Sequence, residues 1–198
     1  MAGSLPEADL LVNHRALQAA AFALLFENPA PVMESEIARR AGLSLDTTSA
    51  SLAEIDEMGM LRRDDQRRII GIAGMSIDPT QHEIHIDGTI RWTWCALDAV
   101  GIIGSLGRGG TFTTTVPGTN QRMLVDFNKE GETTSSAVVF IADGFADGCV
   151  VEDWCPTVNL FPDGGAAKAW SEANDIKGRA VTIQDLMPDA TEMWAFLD

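Results

Sequence analysis

Apolar residues recur with helical spacing through the N-terminal third of the chain and with strand-like alternation through much of the rest. The run Ala16–Phe26 predicts a first helix over about 15–26, with Asn13 as its N-cap and Asn28-Pro29 as its stop. A second helix is expected over 34–41, closed by Gly42, and a third over 47–58, capped by Asp46 and stopped by Gly59. The third places Leu52, Ile55 and Met58 on one face. Leu61-Arg62-Arg63 and Arg68–Gly71, joined through Asp64-Asp65-Gln66, read as a short hairpin. Strands follow over 83–86 and 89–94 around the turn signal Asp87-Gly88. A helix over 95–105 then presents Leu97, Val100 and Ile103. Beyond the Gly107–Gly110 turn come strands over 111–116, 123–127, 137–141, 158–161 and 181–183, with helices over 166–173 and 191–197.

These elements imply an α+β protein: a winged-helix-like helical module over 1–75, then a mainly antiparallel sheet domain with flanking helices over 76–198. The order of helices and hairpin in 1–75 suggests DNA binding, but charge opposes it. This stretch holds seven Lys and Arg against eleven Asp and Glu. Its would-be recognition helix carries Asp46, Glu54, Asp56 and Glu57 and no base, whereas a DNA reader needs cations to displace counterions. The whole chain is at −15, which also disfavours anionic membranes. No apolar run approaches the ~20 residues of a membrane helix, and Met1–Asp9 lacks the basic region of a signal peptide. With three cysteines and no close CxxC pair, the composition fits a reducing cytoplasm and argues against a disulfide scaffold or structural zinc.

Candidate chemistry centres on Trp94-Cys95-Ala96-Leu97-Asp98. At the predicted start of a helix, Cys95 and Asp98 share one face. The helix N-terminus is expected to lower the Cys95 thiol pKa. An apolar surround from Trp92, Trp94 and Leu97 pushes the Asp98 carboxyl up, against the same helix end. Spacing alone also fits a space-filling buried cysteine beside a first-turn acid. A second thiol, Cys155, follows Trp154, and the adjacent Glu152 and Asp153 are expected to oppose its ionisation. His82 and His85 fall on opposite faces of their strand, so they do not jointly bind metal there. Gly107–Gly110 lacks the Lys-Ser/Thr of a phosphate loop and reads as a turn.

Pro79-Thr80-Gln81-His82, the Asp87-Gly88 turn, Trp94-Cys95-Ala96-Leu97-Asp98, Leu106-Gly107-Arg108 and Cys155-Pro156-Thr157-Val158-Asn159-Leu160-Phe161 together resemble the organomercurial (alkylmercury) lyases. Ala169-Trp170-Ser171 and Gly178-Arg179-Ala180-Val181 resemble the family's C-terminal helix and strand. The resemblance implies protonolysis of a carbon–mercury bond, with Cys95 and Cys155 holding mercury as thiolates and Asp98 moving a proton from thiol to carbon. It implies no redox cofactor. Free thiols act as co-reactants, and Hg(II) passes to an acceptor such as a mercuric reductase or small thiols. The alternatives are a non-catalytic soft-metal-binding or thiol-sensing protein of the same fold and, against its charge, a metal-responsive regulator. Two departures from the family pattern stand out. Thr113-Thr114-Thr115 occupies a strand where many members have a further cysteine, and Cys149 lies six residues before Cys155.

Overall fold

A computed structural model describes residues 7–144 and 149–197. The chain runs α1 (Glu7–Glu27), α2 (Glu34–Ala41), α3 (Leu45–Glu57), β1 (Leu61–Arg63), β2 (Ile69–Ile72), β3 (Met75–Ser76), β4 (His82–Ile86), β5 (Thr89–Thr93) and α4 (Ala96–Leu106). It continues through β6 (Gly110–Thr115), β7 (Arg122–Phe127), β8 (Val138–Ala142), a π-helical turn (Val150–Trp154) and a 3-10 turn (Cys155–Thr157). β9 (Asn159–Phe161), α5 (Gly164–Ala173), β10 (Gly178–Thr182), α6 (Ile183–Met193) and a 3-10 turn (Ala195–Leu197) complete it. The expected mixture of helices and antiparallel sheet is present. Part of the expected signal-peptide-free N-terminus, Met1–Pro6, lies outside the described residues.

Seven strands form one sheet in the order β1-β2-β3-β5-β4-β6-β7, and β10-β8-β9 form a second, with antiparallel pairing throughout. The larger sheet runs across residue 75, because β2 pairs with β3 and β3 with β5. One apolar cluster likewise joins Leu17, Phe22 and Leu25 of α1 to Val100 and Ile103 of α4 and Trp194 beyond α6. Helix α4 lies inside this cluster. Eight consecutive residues, Ala96–Ile103, are buried, so the helix is enclosed on all sides rather than on the one face carrying Leu97, Val100 and Ile103. Close packing against α6 depends on small residues: a Cβ at Gly101 would lie 2.2 Å from the Trp194 ring, and one at Gly104 2.3 Å from Thr191 Oγ1.

Several boundaries differ from the sequence expectation for physical reasons. Helix α1 begins well before Asn13, at Glu7. Ser44, not Asp46, caps α3, its hydroxyl accepting the Thr47 N–H at 3.1 Å. Met58 ends that helix as an exposed C-cap rather than joining the buried face. The final helix starts at Ile183, not Thr191. Thr182 caps it by accepting the Asp185 N–H at 3.1 Å, and Pro188, which obscures helical character in the sequence, is accommodated inside it. Strand β10 correspondingly begins at Gly178 and ends at Thr182. The short strand β3 and the π-helical turn before Cys155 carry no strong periodic signal. At the C-terminal end of α1, the buried Arg91 guanidinium donates to the carbonyls of Leu25, at 3.0 Å, and Phe26, and sits over the Phe26 ring. It satisfies carbonyls that the helix end leaves unpaired.

Candidate active site

The α4 N-terminus brings the first two candidate residues together. Cys95 is the N-cap, extended at φ −146°, ψ 175°. Its N–H donates to Asp98 Oδ2 at 2.8 Å, while its sulfur accepts from the Asp98 N–H, so the pair forms a reciprocal capping box. The second thiol arrives from a distant segment. Ala96 N–H donates to the Val158 carbonyl at 3.1 Å, tying the start of α4 to the residue that links the Cys155 turn to β9. Candidate ligand atoms of Cys95, Asp98 and Cys155 all lie within 4.8 Å of one another. The three residues are 0%, 6% and 1% exposed, respectively.

Burial governs the electrostatics. The Asp98 carboxyl is pushed up to about 7 by desolvation, against the lowering effect of its hydrogen bonds from the Cys95 thiol and N–H. Desolvation also raises the Cys95 thiol well above its ordinary value, reinforced by its hydrogen bond with Cys155 and the nearby Asp98 carboxylate. This corrects the expectation of a lowered thiol. The helix end does favour an anion, but at a fully buried position the loss of hydration outweighs it. The resting site therefore holds Cys95 as a thiol, beside a carboxyl balanced between its two forms near neutral pH. Glu152 and Asp153, expected to act on Cys155, are exposed, and the Asp153 carboxylate accepts the Cys149 N–H at 2.7 Å.

A partly buried polar network holds the Cys155 segment. Asn159 Nδ2 donates to the Pro156 carbonyl at 2.7 Å, and Asn159 Oδ1 accepts from Gln81 Nε2 at 2.8 Å. The same Gln81 nitrogen lies 3.0 Å from His82 Nε2. An amide nitrogen only donates, so His82 Nε2 is the acceptor and Nδ1–H donates to Thr114 Oγ1, 2.9 Å away. Burial pushes the imidazole down to about 3, consistent with this neutral form. Thr114 belongs to the Thr113–Thr115 departure, and its hydroxyl supports His82. On the other side, Thr93 Oγ1 donates to the Cys95 carbonyl at 2.9 Å and Thr80 Oγ1 to the Thr93 carbonyl at 2.7 Å. His85 points from the opposite face and is exposed.

A pocket of about 260 Å³ opens onto the cluster. Asp98 and Cys155 line it, and Cys95 is not among its lining residues. Its walls are largely apolar, with Leu97, Trp94, Trp154, Trp194 and Phe196 among them, while Arg15 and Gln18 contribute polar groups from α1. Of the tryptophans expected near the site, Trp94 lines the pocket and Trp92 does not. Trp194 is fixed by its indole N–H, which donates to the Ala73 carbonyl at 2.8 Å. Gly74, next in the β2–β3 turn, has φ +81°, and a Cβ there would fall 2.3 Å from Asp98 Oδ1. Sequence reasoning did not reach Gly74, Trp194, Arg15 or Gln18, because nothing local marks a contact made across the fold. Cys149 stands apart from the three-residue cluster, its thiol 3.7 Å from the Gly59 carbonyl.

Residues 75–195 match the family model described as alkylmercury lyase. The alkylmercury lyase of Streptomyces lividans is 29% identical over 149 residues, 74% of this chain and 67% of that protein. The alkylmercury lyase of Staphylococcus epidermidis is 26% identical over 143 residues, 71% of this chain and 64% of that protein. The alkylmercury lyase of Bacillus cereus is 25% identical over 125 residues, and the match spans 56% of its length. In fold, the chain is similar to the crystal structure of the mercury-bound form of MerB2, with a TM-score of 0.78 and 19% identity, covering 97% of this chain and all of that one.

Proposed function

The chain belongs to the alkylmercury lyase family, and from that premise we propose that it cleaves the carbon–mercury bond of organomercury compounds, with Cys95, Cys155 and Asp98 as the catalytic set. The observation that carries this assignment is the convergence of two buried sulfurs and one buried carboxyl within 4.8 Å at the end of an apolar pocket. Mercury is a soft cation and thiolates are its matching ligands. The apolar walls suit a hydrocarbon group on the metal.

The chemistry follows from the protonation states. Cys155, at the pocket wall, takes the metal of R–Hg⁺ first. Bound metal ionises a thiol outright, and Asp98 receives one of the protons released. Cys95 then adds a second sulfur–mercury bond. Electron density donated by the two sulfurs gives the carbon carbanion character, and protonated Asp98 delivers its proton there as a general acid. The carbon–mercury electron pair becomes the carbon–hydrogen bond. In balance, R–Hg⁺ and two thiols give RH, a bis-thiolate Hg(II) and one proton. Nothing is oxidised or reduced, so the reaction calls for no redox cofactor. Free thiols, or an acceptor such as a mercuric reductase, then remove Hg(II) by ligand exchange. A carboxyl poised at about 7 suits both halves of the proton transfer near neutral pH.

The test is hydrocarbon release from an alkyl- or arylmercury salt with excess thiol. Wild type is expected to release it. Cys95→Ser is expected to fold, since serine is a good N-cap, and to lose release. Asp98→Asn is expected to bind Hg(II) but release no hydrocarbon. Stoichiometric mercury binding by wild type without hydrocarbon would instead support a sequestering protein.

A further inference from the structure

The pocket includes in its lining a cation, of the same sign as the bare substrate. Arg15 and Gln18 stand one turn apart on α1 and both line it, Arg15 exposed and Gln18 only 9% exposed. Arg15 is the one basic residue and Asp98 the one acidic residue among the described pocket-lining residues. Arg15 forms no ion pair, and the Gln18 amide no hydrogen bond, among the described residues. The Gln18 amide is not among the fully enclosed polar atoms, so it faces the pocket and is open to a hydrogen bond from water or a ligand there. The chain as a whole is at −15, so a cation unpaired at this mouth is an exception to the surrounding field. It repels R–Hg⁺ and attracts an anion.

Resting on the protonolysis reading, we propose that Arg15 and Gln18 form a subsite for the carboxylate of a small thiol carried on the mercury, so that the molecule admitted is R–Hg–S–R′–COO⁻. In a thiol-containing solution mercury is already bound to sulfur, and such an adduct is a neutral metal centre with an anionic tail. The apolar walls take R, the guanidinium and amide take the carboxylate, and mercury is presented to Cys155. The entry step is a balanced exchange. The mercury–sulfur bond to the small thiol breaks, the bond to Cys155 forms, and the Cys155 proton leaves on the departing thiol. The same subsite receives a carboxylate-bearing thiol that later withdraws Hg(II).

The experiment uses the full chain with preformed phenylmercury adducts of 3-mercaptopropionate, 2-mercaptoethanol and cysteamine, which carry an anionic, a neutral and a cationic tail. Transfer of phenylmercury to the protein is followed by quenching of the pocket tryptophans, and benzene release is measured in parallel. Wild type is expected to take the mercaptopropionate adduct best. Arg15→Met should slow its transfer about two- to fivefold, the scale of one ion pair at an exposed site, affect the mercaptoethanol adduct less and speed the cysteamine adduct. Gln18→Leu should reduce the same preference, and salt should shrink it in wild type. Arg40→Met removes an equal charge from a residue that does not line the pocket and pairs with Glu27, and should change nothing. Equal transfer of all three adducts by wild type, or an equal effect of Arg15→Met on all three, would overturn the proposal. Preference in transfer without benzene release would retain the subsite and sink protonolysis. Benzene release without preference would do the reverse.

Discussion

Asp98 is where the demands of folding and of chemistry meet. In the unfolded chain its carboxyl titrates near 3.8, and in the fold at about 7. Below about pH 4 both states hold the proton. Between these values the unfolded chain alone releases it, so the Asp98 contribution to stability falls as pH rises from about 4 to about 7 and is level above. Asp98→Asn removes this loss while keeping an acceptor for the Cys95 N–H. Its stability relative to wild type is therefore expected to grow across that window, measured by urea unfolding at successive pH values. His82 has the opposite sign. Burial holds it neutral down to about 3, so its contribution is present above 6.5 and is lost as pH falls toward 3. The Cys95–Asp98 pair was legible in the sequence. The direction of the Cys95 shift was not, because local helix position indicates the dipole and only the fold shows complete burial.

At the scale of elements, turns and short irregular segments set the site's geometry. Two tight hairpins offer a matched comparison. Gly74 and Gly88 both have positive φ, but a Cβ at Gly74 would strike the Asp98 carboxylate, whereas one at Gly88 meets nothing within 4 Å. Alanine at either position is expected to cost about 1 kcal/mol through the left-handed backbone. Only Gly74→Ala should also reduce hydrocarbon release, by at least tenfold as an expected order of magnitude for a displaced general acid. Equal activity in both variants would refute the role given to this turn. The turn that carries Cys155 depends on Asn159 in the same way. Asn159→Ala leaves the Pro156 carbonyl short of a partner, and thermal unfolding should show a loss of about 1–3 kcal/mol. The Asp87-Gly88 hairpin and the helical stretch after Cys95 were readable from local pattern. The π-helical turn at 150–154 was not, since its shape depends on contacts such as Val151 N–H to the Gly59 carbonyl.

Across the whole molecule, α1, α4 and the segment after α6 meet around the pocket, and the larger sheet and the principal core continue past residue 75. The two halves are expected to unfold together. The five tryptophans all lie beyond residue 75, while far-ultraviolet circular dichroism also reports α1–α3. Coincident denaturation curves from the two probes are the expected result, and separated midpoints would show independent units. Trp194→Ala tests the closure of the fold. It removes the ring packed against Gly101 and the hydrogen bond to Ala73, and is expected to cost about 3–5 kcal/mol with loss of activity. Among the described residues no helix is long and apolar enough to cross a membrane.

The sequence by itself determined the α+β composition, most helices and hairpins, the acidity of the third helix, and Cys95, Asp98 and Cys155 as candidates. These depend on periodicity, turn chemistry, charge and residue identity, all properties of neighbouring positions. The tertiary structure decided that Cys155 joins Cys95, that burial overrides the helix end in setting the thiol, and that α1 and the C-terminal segment complete the pocket. Desolvation and convergence are set by atoms far apart along the chain, so they exist only once the sheet and the enclosed helix α4 have brought those atoms together.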